Sequence, residues 1–137
     1  MQLTPLIAVH MTAALTAIAL GPVALWARKG ATQRLKLHRA FGYAWVTLML
    51  ATAVSAIFIR DYALPNIVGY TPLHIFVPVT FYFLFRAFQC LAQGNIAGHR
   101  KAMQRLYIAA CLVAGVFTLL PNRYLGNLVF NQWLALV

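Results

Sequence analysis

Acidic residues are almost missing from this chain: Asp61 is the single Asp or Glu in 137 residues. That excludes catalysis by paired carboxylates and a carboxylate cage for calcium or magnesium. Charge of either sign is scarce, at 9% of residues, where a soluble domain carries about a quarter. The only cysteines, Cys90 and Cys111, both lie in apolar runs and read as small buried hydrophobes, not as a disulfide. No glycine-rich phosphate loop occurs, and no two histidines stand at zinc-site spacing. No basic stretch precedes the first apolar run, so that run is expected to stay as a span and not to be cleaved as a signal peptide.

What remains is apolar: 63% of residues are hydrophobic and the mean hydropathy is +0.78. We expect an all-α integral membrane protein, one transmembrane domain over residues 1–137, with room for about four spans of roughly 20 residues. The apolar runs place them at about 5–26, 38–59, 72–91 and 99–120. Residues 125–137 are apolar but too short to cross, and are expected to lie at the interface or against a partner. Eleven Lys and Arg give a formal charge of +10, which in a soluble protein hints at nucleic acid. Here the cations gather in the loops after the first and third spans, with Arg60 and Arg123 alone on the other side. The positive-inside rule turns that asymmetry into a topology: a multi-pass bundle with both termini outside, embedded in lipid and without nucleic acid.

The chain also repeats weakly. Thr-Pro-Leu opens both the first and the third span, at residues 4–6 and 71–73, each soon followed by a histidine, His10 and His74. His-Arg opens the second and fourth, at His38 and His99. The expected fold is therefore a four-helix bundle of two similar hairpins with a short interfacial tail. Shared membrane grammar explains the prolines and arginines, but not a histidine in every helix.

Histidine is costly in lipid, so four in a pattern suggest a common task. With the topology fixed they form an outer pair, His10 and His74, and an inner pair, His38 and His99, about 15–20 Å apart along the helices. One tetra-histidine site is excluded by that depth. Two bis-histidine sites, each holding a haem b, carry an electron between membrane faces. Ala14, Ala17 and Gly21 follow His10 at helical spacing, Gly42 follows His38 and Gly98 precedes His99, all making room for a flat ring; close helix packing is the ordinary explanation of each. Haem propionates or a quinone need cationic contacts, and Arg39, Arg60, Arg86, Arg100, Lys101 and Arg123 are the candidates. Arg86 stands out because it lies within a span, where a charge must pair or snorkel. Copper bound by His10 and Met11 fails because neighbours on a helix point apart.

The motifs His38-Arg39-x-x-Gly42 and His99-Arg100-x-x-Met103-x-Arg105, with an early His in the first and third spans, resemble a bacterial family of small predicted membrane proteins of unknown function. That resemblance covers about residues 4–120 and implies the bacterial cytoplasmic membrane. The arrangement is also similar to di-haem b-type cytochromes, which pass electrons between quinone and a partner; this implies axial ligation by His10, His38, His74 and His99. The leading expectation is thus an electron carrier holding one or two haems b, the outer pair His10 and His74 first, linked to quinone or a redox partner. A cofactor-free subunit of a larger membrane complex, docked by its apolar tail, is the second. A small transporter is the third, and the lack of intramembrane acids weighs against it.

Overall fold

The computed structural model describes residues 3–28, 33–62, 65–120 and 124–133. Helix α1 spans Pro5–Trp26. Thr4, extended at φ −86° and ψ 158°, accepts a hydrogen bond from the Ile7 N–H on its side-chain oxygen at 3.3 Å. Pro5 takes the first helical position, where a missing N–H costs nothing. Helix α2 spans Leu35–Phe58. A 3₁₀ turn, Pro72–Ile75, leads into α3 at Phe76–Ala92. Helix α4, Ile96–Leu106, runs without interruption into a π-helical segment, Tyr107–Val113, and then α5, Ala114–Thr118. A short α6, Tyr124–Asn127, continues as a π-helical stretch over Leu128–Trp133.

The protein is all-α, and three of its helical stretches are long and apolar enough to cross a membrane: Pro5–Trp26, Leu35–Phe58 and Pro72–Ala92. Residues 96–118 form one helical rod, but its first part is strongly polar on one side, with Arg100, Lys101 and Arg105. Two boundaries move from where the sequence put them. The second helix starts at Leu35 and the fourth at Ile96, so His38 and His99 lie one turn inside their helices and not at the mouths. Asn95 explains the second shift, since its Oδ1 accepts from the Gly98 N–H at 2.8 Å and caps the helix.

Packing follows steps of three and four residues. Helix α1 buries Ala13, Ala17, Gly21 and Ala24; α2 buries Trp45, Met49 and Ala53; α3 buries Thr80, Leu84 and Ala87. The small ridge on α1 lets α2 approach closely, as small residues do between membrane helices. Helix α1 packs along α2, α3 along α4, and α2 against α3, while the π segment closes against both α1 and α3. Ala17, Trp45, Met49, Leu84, Leu106 and Cys111 meet in the core. The outward faces stay apolar; Phe58 and Phe85 are 66% and 68% exposed, as suits a lipid-facing surface.

The π segment makes two specific contacts. Pro22 has no N–H, so the Ile18 carbonyl loses its usual helical donor. The Tyr107 hydroxyl donates to that carbonyl at 3.0 Å. Its ring lies over Gly21, where a Cβ would collide with it. Cys111, one step of four later, donates to the Met49 sulfur at 3.7 Å.

Candidate functional site

All four histidines are half-buried, and each bonds to a backbone carbonyl of another helix or its end. At the end carrying the basic loops, His38 of α2 has Nδ1 at 2.8 Å from the Ala24 oxygen of α1. Ala24 lies in the last turn of α1, whose carbonyls have no partner within the helix. His99 of α4 has Nδ1 at 3.0 Å from the Ala87 oxygen of α3. A carbonyl only accepts, so both bonds put a proton on Nδ1, and in the neutral ring Nε2 is then the lone pair. Neither Nε2 has a hydrogen-bond partner among the described residues.

At the opposite end the two histidines differ. His10 of α1 has Nδ1 at 3.0 Å from the Thr52 oxygen and 2.9 Å from Ser55 Oγ, both on α2. The Ser55 hydroxyl itself donates to Thr52, so the imidazole Nδ1–H is shared between two acceptors, and Nδ1 is the donating nitrogen as at His38 and His99. His74, in the 3₁₀ turn, donates from Nε2 to Ala56 and Ile59 at 3.1 and 3.0 Å. Its Nδ1 accepts from the Thr71 N–H at 3.1 Å. Both of its ring nitrogens are therefore engaged, tying the end of α2 to the start of α3. The Tyr70 ring meets it edge-on at 4.9 Å, and the Arg60 guanidinium stacks 3.7 Å over Tyr70 while donating to the Val68 carbonyl.

His10 and His74 line one cavity of about 230 Å³. Its walls mix small side chains such as Ala14, Ala53, Ala56 and Ala114 with larger ones such as Met11, Met49 and Phe76, and Thr52, Thr71 and Thr118 are further polar groups. Tyr124 and Leu125 reach it from α6, so the start of the tail folds back over this mouth. Gly126 makes that return possible, because a Cβ there would strike the Leu120 carbonyl. The small residues after His10 divide: Ala14 and Ala17 face the cavity, whereas Gly21 lies under Tyr107. Nothing lies near a Cβ built on Gly42.

The candidate cations also divide. Arg100 donates to the Arg28 carbonyl at 2.7 Å, pinning α4 to the end of α1. Arg39 is exposed one residue from His38. Arg86 and Lys101 line a different recess between α3 and α4, together with Arg105, which in the sequence stands out only as part of the motif from His99 to Arg105. The spacing of Lys101 and Arg105, four apart on one helix face, was the available signal. Arg123 lies outside the described residues. Among the described residues no three His, Cys, Asp or Glu side chains cluster as a metal site.

Residues 7–137 match the family described as Predicted membrane protein (DUF2306). The chain belongs to this family. Its function is unknown. With three helices long and apolar enough to cross, the chain is a membrane protein in contact with lipid. No curated protein and no solved structure matches it.

Proposed function

We propose that this DUF2306 protein is an electron carrier of the bacterial cytoplasmic membrane that holds haem b through histidines at two depths. In this reading residues 96–118 are a fourth span, the chain is two antiparallel hairpins, and both termini lie outside the cytoplasm. The observation that carries it is the tautomer of three imidazoles. His10, His38 and His99 each give their Nδ1 proton to a neighbouring helix, which leaves Nε2 free. Haem and metal sites use that arrangement, because the second-shell bond orients the ring and raises its basicity.

His38 and His99 would hold the haem of the first site, with Arg39 beside them for the propionates. His10 and His74 would hold a second haem, for which their cavity of about 230 Å³ must widen, with Arg60 close by. His74 must release its two carbonyl bonds to ligate, so the second site is the weaker one. The iron supplies one-electron chemistry; the protein orients the imidazoles, excludes water and sets the potential through ligands and polarity. Quinone or a membrane-bound redox partner is the exchange partner this implies.

The full chain, expressed with ample haem and purified in detergent, is expected to show a Soret band and a sharp α-band after dithionite. A colourless preparation sinks the proposal. One observation favours a second reading, a cofactor-free subunit of a larger complex: His74 already spends both nitrogens on stapling helices. Stable co-purification of another membrane protein, with no visible absorbance, supports that reading instead.

A further inference from the structure

Away from the central cavity, α3 and α4 enclose a recess of about 210 Å³ lined by Tyr82, Phe83, Arg86, Asn95, Lys101 and Arg105 among others. Its polar groups are donors almost without exception. Asn95 spends Oδ1 on capping α4, which leaves its amide N–H₂ as the free part. Arg86 donates to Gln89 and is otherwise exposed. Lys101 and Arg105 have no hydrogen-bond partner among the described residues. The chain's sole acidic side chain, Asp61, belongs to the loop at the other end of α2, where its N–H donates to Gly69. Three cations thus share one recess with no counter-charge.

Depth makes the arrangement expensive unless something fills it. Arg86 lies about 9 Å from the end of α3, and Arg105 about 14 Å from the start of α4, by the helical rise. Two cations elsewhere are satisfied internally, Arg60 by Tyr70 and Val68 and Arg100 by Arg28, whereas Lys36 and Arg39 are single exposed charges and not a cluster. Gly98 sharpens the shape, since a Cβ there would press into the Cys90 sulfur and the Asn95 amide and push the two helices apart. Above the recess the exposed faces of Tyr82 and Phe85 continue along α3 as an apolar track.

We propose that this recess binds the phosphate headgroup of an anionic membrane phospholipid, with an acyl chain lying along Tyr82 and Phe85. Phosphate offers only acceptors to these donors, and Arg binds it in bidentate fashion. Basic pockets between helices on the cytoplasmic side take such headgroups. The inference rests on α3 and α4 lying in the bilayer and is independent of haem.

The test is retention of phosphatidylglycerol against phosphatidylcholine by the purified full chain after detergent exchange, read by native mass spectrometry. Wild type is expected to keep phosphatidylglycerol selectively. The variant R86Q/K101Q/R105Q should lose at least about tenfold of that selectivity, while R28Q/R34Q/K36Q, with the same charge removed, retains it. Equal loss in both variants, or loss in neither, overturns the site, because general attraction to a basic surface then accounts for binding. Displacement of the lipid by inorganic phosphate, with no dependence on acyl chains, overturns the lipid as occupant. If the triple variant does not fold, judged by its helical circular dichroism, R86Q and R105Q singly must each lower retention.

Discussion

His38 and His99 occupy the fourth residue of their helices, and each sends Nδ1 to a carbonyl of the helix before it. His10 and His74 follow the same tripeptide yet end in different bonding states. The cause is three residues of offset. His10 comes four residues after Leu6, so its ring crosses to α2 and meets Thr52 and Ser55. His74 comes directly after Leu73, so its ring curls back onto Thr71 and caps its own turn. A repeat in sequence therefore produced equivalence at the basic end and specialisation at the other. The lesson is that a histidine's position relative to its cap decides whether the imidazole offers a free nitrogen.

The largest expected effect separates the two ends directly. Replacing His38 or His99 by Ala should abolish the tighter haem site, so the remaining haem titrates only at higher concentration. In the wild type, haem titration should be biphasic, since ligation by His74 forfeits bonds worth about 1–3 kcal/mol in total. A single phase, or one lost first on H10A, breaks the ordering of the sites.

Next in size is stability. His74→Ala strips the Ile59 carbonyl of its donor, leaves the Ala56 carbonyl to the Ile59 N–H, and removes the cap on the 3₁₀ turn, and should cost about 2 kcal/mol. His10→Ala should cost less, because the Ser55 hydroxyl still serves the Thr52 carbonyl. Unfolding followed by circular dichroism in detergent measures both. Equal costs for the two would erase the distinction drawn between them.

A smaller effect tests the π segment. Tyr107→Phe leaves the Ile18 carbonyl without a donor and should cost about 1 kcal/mol. Pro22→Ala restores a backbone N–H to that carbonyl, so the same Tyr107→Phe change in that background should cost clearly less. Additive costs would show that Tyr107 acts through its ring alone. Gly21→Ala, which forces a methyl into the Tyr107 ring, should cost about 1–3 kcal/mol by overpacking. The smallest change is Asn95→Ala, about 1 kcal/mol for a lost cap, against a similar loss for Thr4→Ala.

Composition made the membrane class and the all-α fold legible, and the Thr-Pro signal placed the start of α1 at Pro5. The histidines were legible as a set because an apolar chain makes each one conspicuous. Other features needed three dimensions. The engagement of His74 depends on where α2 ends in space, which no local pattern encodes. The bond from Tyr107 to the carbonyl that Pro22 leaves open joins residues more than eighty apart, and residues 107–113 alone read as ordinary helix. The helix starts at Leu35 and Ile96 were obscured by the eye-catching His-Arg pairs, although Asn95 was a readable cap. Arg105 gained meaning only beside Arg86 across the α3–α4 groove.

The central claim is that imidazoles with a free Nε2 hold haem. Its most direct test is a dithionite-reduced minus oxidised visible spectrum of the purified full chain, set beside that of H38A/H99A at equal protein. The account predicts a b-type α-band in the wild type that is mostly lost in the double variant. A wild type without the band, or a variant with the band intact, contradicts it.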